Sequence, residues 1–197
     1  MSTDSSSPRK RKRREGMKLL GVDPGLRHTG LAILDRDSGK VLDTELLLFP
    51  GRGYKFIGTY LEWILPRVAE YVDEHKPRLA AVEQVGWYGR RQRITMPLSH
   101  VAGALVGLLW GRAIPVYLLP ANMKQGPDVD KRRPRGVSDH EHDAVLLARK
   151  VRAWLRAESA GDASGLRRLS AVGSRRISIV PSVPSAPMSS DPIARKR

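Results

Sequence analysis

Apolar residues fall in short blocks between Met17 and about Leu155, and the spacing inside each block predicts an element. Met17–Asp23 is a short apolar run that ends in Asp23-Pro24-Gly25, the pattern of a strand entering a turn. Gly30–Leu34 and Val41–Phe49 predict two further strands, joined across the polar hairpin segment Asp35–Lys40. From Tyr54 to about His75, Ile57, Leu61, Ile64, Leu65, Val68, Tyr71 and Val72 recur at helical spacing. Pro66 inside that stripe predicts a kink or a break, because it removes one helical hydrogen bond. Leu79–Glu83 is a fourth strand, Pro97 to about Arg112 a second helix, and Val116–Leu119 a short fifth strand. Asp139 to about Glu158 closes the series as a helix with Ala144, Leu147, Ala148, Val151 and Leu155 on one face. The order βββαβαβα has no internal repeat and predicts an α/β sheet, hairpins first and crossovers after.

Charge changes this picture at the two ends. The chain has 197 residues, 35 Lys and Arg against 20 Asp and Glu, and a net charge of +15. Residues 1–16 and 161–197 carry nine of those surplus charges, including the run Pro8-Arg9-Lys10-Arg11-Lys12-Arg13-Arg14. Neither end has enough apolar surface to offset the entropy of ordering, so both are expected to be disordered. The expected organisation is a basic arm over 1–16, one domain over 17–159 and a low-complexity basic tail over 160–197. A basic arm suits nucleic-acid backbone, an import address or a solubilising tail alike. Met17 stands where the folded part opens, so translation from either Met1 or Met17 is compatible with the pattern. Hydrophobic residues make up 41%, ordinary for a chain with a true core. With no cysteine, disulfide scaffolds, zinc ribbons and thiol catalysis are excluded. The longest apolar run, Val101–Trp110, is far short of a bilayer crossing, and no secretory leader is expected.

In so basic a chain the acidic residues at strand ends are the candidates for chemistry. Asp23 ends the first strand and Glu83 ends the fourth, whose other residues are apolar or small. Laid side by side and parallel, these strands deliver both carboxylates to one edge of the sheet. The last helix opens with Asp139, His140, Glu141 and Asp143, of which His140 and Asp143 share a face adjoining the apolar stripe. Such a set of oxygen donors suits Mg²⁺ or Mn²⁺. Taken singly, each element has a plain reading: an ordinary turn, a solvated strand end, acidic residues favoured by a helix N-terminus. Trp87-Tyr88-Gly89-Arg90-Arg91-Gln92-Arg93 sets two aromatics beside three arginines, suited to base stacking and phosphate contact or to covering a sheet edge. Gly103, Gly107 and Gly111, four apart on the second helix, allow close approach to the sheet or to a second subunit.

Three of these blocks resemble the motifs of RuvC-type Holliday junction resolvases. Leu19-Leu20-Gly21-Val22-Asp23-Pro24-Gly25 with Thr29-Gly30-Leu31-Ala32 is similar to their first motif, and Ala81-Val82-Glu83-Gln84-Val85 to their second. His140-Glu141-His142-Asp143-Ala144-Val145-Leu146-Leu147-Ala148 resembles the last, and the likeness spans roughly residues 17–155. The resemblance implies a ribonuclease H-like fold: a five-stranded mixed sheet, strands 1–3 antiparallel, strands 1, 4 and 5 parallel, helices on both faces. It implies Asp23, Glu83, His140 and Asp143 as catalytic metal ligands, with Asp139 as runner-up for the fourth place. Two Mg²⁺ ions, replaceable by Mn²⁺, are the implied cofactors, and hydrolysis of a phosphodiester in branched DNA the implied reaction. Four-way junctions are the expected substrate and a homodimer the expected state. Trp87 or Tyr88 resembles an aromatic that wedges into the junction. Arg90, Arg91, Arg93, Lys124, Lys131, Arg132 and Arg133 are expected on the DNA, and the tails are expected to add non-specific contacts. The chain departs from the family at Pro120–Ser138, which reads as a basic loop with no apolar period where relatives carry a longer segment with a helix.

Three other readings compete. One is a ribonuclease H-like nuclease on RNA or other substrates, as in the YqgF-like relatives. Another is a non-catalytic nucleic-acid-binding protein of the same fold, disfavoured because no ligand position is apolar. The third is an ATPase of the actin and sugar-kinase superfamily, which needs paired domains and a second glycine-rich phosphate loop that this chain lacks. The expected location is the cytoplasm of a bacterium or phage host, with a nuclear or organellar address left open by the basic arm.

Overall fold

The computed structural model describes residues 16–51, 57–85, 92–125, 129–161 and 179–180. The expected arm and tail therefore lie almost wholly outside the described residues, as do Trp87, Tyr88, Arg90 and Arg91. The strands are β1 (Lys18–Asp23), β2 (His28–Asp35), β3 (Val41–Leu48), β4 (Leu79–Gln84) and β5 (Val116–Pro120), with β6 (Ile179–Val180) from far down the chain. The helices are α1 (Ile57–His75), α2 (Gln92–Gly111) and α3 (Asp139–Ser159). The strands form one sheet in the order β3-β2-β1-β4-β5-β6. β1 to β3 pair antiparallel, while β1 with β4 and β4 with β5 are parallel. This is the expected five-stranded mixed sheet. The two residues of β6, antiparallel to β5 at its outer edge, add a sixth strand that the pattern did not predict. They fall in a weak apolar cluster too short to read as a strand alone.

Alternation along the strands splits the core in two. Leu20 and Val22 of β1, with Leu31 and Ile33 of β2, pack against Tyr60, Ile64 and Val68 of α1 and Val101, Leu105 and Leu109 of α2. Leu19 of β1, Ala32 and Leu34 of β2 and Ala81 of β4 face the other way, against Ala144, Leu147, Ala148 and Val151 of α3. Both sheet faces are thus covered, as parallel strands require.

Three predicted features change. α1 runs unbroken through Pro66, which is solvent-exposed on a helix held to the sheet by its buried face. α2 begins five residues before Pro97, with that proline again inside the helix. Pro120–Ser138 is not loop throughout: Ala121–Gln125 forms a 3₁₀ turn directly after β5, and its Met123 is fully buried in the α3-side core. The glycines of α2 also settle one open choice. Among the described residues, a methyl group built on Gly103, Gly107 or Gly111 would meet nothing within 4 Å, so this stripe points away from the sheet. α2 packs through Val101, Leu105 and Leu109 instead.

Candidate active site

The parallel pairing of β1 and β4 sets Val22 opposite Val82, so the next residues, Asp23 and Glu83, leave the sheet together. The two-residue period places both on the α3 side, beyond Gly21 and Ala81. α3 starts with a capping box in which the Ser138 hydroxyl accepts from the Glu141 N–H and the Glu141 carboxylate accepts from the Ser138 N–H. That cap aims His140 and Asp143 at the strand ends. The helix lies close because two glycines make room. A Cβ on Gly21 would stand 1.9 Å from the Ala144 carbonyl oxygen, and one on Gly30 2.0 Å from that of His140. These are two of the three glycines of the first motif, and their role is to seat α3.

The turn after Asp23 is held from the opposite face. The Tyr60 hydroxyl donates to the Gly25 carbonyl at 2.7 Å and lies 3.0 Å from the Thr29 hydroxyl. Gly25 N–H in turn donates to Thr29 Oγ1 at 3.3 Å. Burial pushes the Tyr60 phenol up to about 12, so it stays a donor at any working pH. Tyr60→Phe should lower unfolding free energy by about 1 kcal/mol, since the part-buried Gly25 carbonyl loses its shorter hydrogen bond and keeps only that from the Thr29 hydroxyl at 3.4 Å. Urea unfolding of the two proteins measures this, and equal midpoints would show that the clamp carries no load.

Lys124, on the 3₁₀ turn after β5, reaches into the carboxylates. Its Nζ lies 2.9 Å from Asp23 Oδ1, 2.8 Å from Glu83 Oε2 and 2.7 Å from Asp143 Oδ2. His140 Nδ1 stands 2.7 Å from the other oxygen, Asp23 Oδ2, and its ring stacks on His28 with centroids 5.3 Å apart. The structure thus brings together Asp23, Glu83, His140 and Asp143 from three separate elements. Asp139 does not join them: its side chain is exposed and pairs with Arg133 at 2.7 Å.

Electrostatics follow from this crowding. Burial raises Asp23, but hydrogen bonds from His140 and Glu83 and the charge of Lys124 outweigh it and hold Asp23 at about 2. Burial and then the hydrogen bond with Asp23 push Glu83 up to about 8, against the pull of Lys124. The hydrogen bond to Asp23 raises His140. Burial lowers Lys124, but the Asp23 and Glu83 charges win and raise it. Among the described residues no trio of His, Asp and Glu converges into a ready cage for a metal ion. The carboxylates are arranged around an ammonium group instead. Their chemistry still fits a hard divalent cation, because three oxygen donors already surround a single positive charge.

The expected DNA contacts divide. Lys124 belongs to the carboxylate cluster, a placement that its position after a strand parallel to β4 foreshadows. Arg93 lies in the first turn of α2. Lys131, Arg132 and Arg133 are exposed on a segment tied to α3 by Arg149, which donates to the carbonyls of Asp130 at 2.6 Å and Arg132 at 2.8 Å. His28 went unnoticed in the sequence, although β2 is antiparallel to β1 and so must start at the same sheet end.

The mixed sheet with carboxylates at the ends of β1 and β4 and on α3 defines a protein of the ribonuclease H-like class. A family model described as crossover junction endodeoxyribonuclease RuvC matches residues 19–126, more than half of the chain, and the chain belongs to that family. The matched span includes Asp23, Glu83 and Lys124 and stops before α3. Among curated relatives, crossover junction endodeoxyribonuclease RuvC of Methylobacillus flagellatus is 30% identical over 104 residues, 50% of this chain and 57% of the relative. That of Ralstonia pickettii is 29% identical over 101 residues, 51% of this chain and 55% of the relative. The matched stretch is thus only a little over half the length of these relatives. A structure of Thermus thermophilus RuvC with a Holliday junction substrate superposes with a TM-score of 0.59 at 20% identity. That superposition covers 74% of this chain and 97% of the other, and it shows the shared fold.

Proposed function

We propose that this protein is a metal-dependent, structure-selective DNA endonuclease that resolves Holliday junctions or other branched DNA. The observation that carries this reading is the set of Asp23, Glu83 and Asp143, drawn from β1, β4 and α3 onto one cation-sized position. Asp23, Glu83, His140 and Asp143 are the residues that would hold two Mg²⁺ ions, with Mn²⁺ an acceptable substitute. Bound there, the ions would activate a water and stabilise the leaving oxygen of a phosphodiester, giving 5′-phosphate and 3′-hydroxyl ends. The protein's own contribution is placement. Asp23 is pinned by the Tyr60 clamp on one side and by His140 and Lys124 on the other. Exposed Lys131, Arg132 and Arg133 beside the cluster would attract the phosphate backbone.

A homodimer fits the same reading. α2 turns its glycine stripe outward, and Met96 and Trp110 on that helix are 60% and 37% exposed. A small-residue groove flanked by apolar side chains suits a crossing with the same helix of a second copy.

The test is incubation with a labelled four-way junction, a flap and a linear duplex, in Mg²⁺ and in EDTA. Paired nicks in the junction alone, abolished by EDTA, are expected. Cleavage of RNA-containing substrates in preference would favour the broader nuclease reading, and binding without cutting the non-catalytic one.

Metal binding carries a pH signature. Glu83, raised to about 8, must release its proton to serve as a ligand. Mn²⁺ affinity is therefore expected to climb with pH and to level off above about 8, with protons released at neutral pH by Glu83 and by His140, which the Asp23 hydrogen bond also raises. Calorimetry in two buffers of different ionisation enthalpy reads those protons, and identical heats would remove Glu83 from the ligand set.

A further inference from the structure

An ammonium group has three N–H donors, and each of the three on Lys124 meets a different carboxylate, at 2.9, 2.8 and 2.7 Å. The Lys124 side chain is only 10% exposed, and Asp23 only 6%. Carboxylates brought this close around a nearly buried Asp23 are held together by the cation that stands between them. Lys124 therefore does in the free protein part of what a bound divalent ion would do: it offsets charge in the cluster and sets the spacing of its members.

The surroundings provide somewhere else for that side chain to go. A cavity of about 420 Å³ opens beside the cluster, lined by Ala121, Lys124, Lys131, His142, Asp143 and Leu146. It adjoins Asp143, the most exposed of the three carboxylate partners at 40%. Lysine has a flexible four-carbon stem and a compact, well-hydrated head, so a change of rotamer toward this cavity needs no movement of the sheet.

We infer that Lys124 is a built-in counter-ion standing where a divalent cation binds, and that cation binding expels its ammonium group into the adjoining cavity. The inference rests on the metal-dependent reading of this site. It has two consequences. The carboxylates of β1, β4 and α3 stay assembled before any metal arrives. The apparent metal affinity is also reduced by the fraction of time that Lys124 fills the position.

The experiment uses the full-length chain. Side-chain ammonium resonances are recorded by ¹⁵N NMR in EDTA, and that of Lys124 is assigned by its absence in Lys124→Met. A buried ammonium with three partners exchanges slowly and gives a visible signal; it should vanish or shift in step with added Mg²⁺. In parallel, calorimetry should show Mn²⁺ binding to Lys124→Met roughly tenfold more tightly than to the unaltered protein, the gain expected when a self-occupied site is vacated. Lys124→Gln, which keeps hydrogen bonding without the charge, should behave likewise and covers the case in which the Met variant does not fold. An ammonium signal unmoved at saturating Mg²⁺, or metal affinity no tighter in either variant, overturns the inference while leaving a metal site in place. Absence of Mn²⁺ binding by every form overturns the metal reading itself and this inference with it.

Discussion

Asp23→Asn is expected to slow junction cleavage by at least about 10³-fold, equivalent to roughly 4 kcal/mol of barrier, while leaving junction affinity in EDTA nearly unchanged. The size follows from how much converges on this side chain. One oxygen takes the Lys124 ammonium at 2.9 Å and the other the His140 ring at 2.7 Å, and Glu83 stands beside it on the adjoining strand. Asparagine keeps the shape but not the charge, and its amide nitrogen must face one of those two donors. Glu83 responds as well: without an ionised neighbour one cause of its raised value disappears, and it should titrate lower. Single-turnover cleavage in Mg²⁺ and gel-shift binding in EDTA separate catalysis from recognition. Cleavage retained within tenfold would take Asp23 out of the site; binding lost in parallel would make it a structural residue.

Gly21→Ala should have the largest effect on stability, about 3 kcal/mol, at the upper end of overpacking costs. The added methyl would stand 1.9 Å from the Ala144 carbonyl oxygen and 2.8 Å from its carbon. These are helix backbone atoms, which cannot swing aside as a side-chain tip can. α3 would have to move off the sheet, taking His140 and Asp143 away from Asp23 and Glu83. For a chain of this size the penalty corresponds to a melting-temperature loss of roughly 6–12 °C. Gly30→Ala, with its methyl 2.0 Å from the His140 carbonyl oxygen, should do the same. Gly103→Ala supplies the contrast. Its methyl meets nothing within 4 Å among the described residues, and alanine favours a helix interior by about 1 kcal/mol. Calorimetric melting of the three variants is decisive: a Gly21→Ala protein as stable as the parent would mean that α3 does not sit where the structure places it.

The first three strands, β4, β5 and α3 were readable because each is an apolar block of the right period closed by polar or turn residues. The candidate cluster was readable in part for the same reason. Parallel strands bring their C-terminal residues to one edge, so Asp23 and Glu83 could be paired from their positions alone, and helical spacing put His140 and Asp143 on one face. Pro66 and Pro97 misled because local cost was judged without tertiary support: a buried face holds each helix through its proline. β6 was missed because two residues carry no period, and its place depends on an edge of β5 that exists only after the sheet forms.

What the amino-acid pattern determined by itself was the element order, hairpins first and crossovers after, and the placing of acidic residues at two strand ends and at the start of the last helix, all of which follow from local periodicity; the mixed sheet entered with the resemblance to the family's motifs. Tertiary structure alone decided the rest. It turned the glycines of α2 outward, seated α3 on Gly21 and Gly30, sent Asp139 to Arg133 and carried Lys124 among the carboxylates. Each of these depends on the distance between groups far apart in the chain, as with Lys124 and Asp23, 101 residues apart and joined at 2.9 Å. Charges buried that closely must find a partner, and local periodicity does not encode which one they meet.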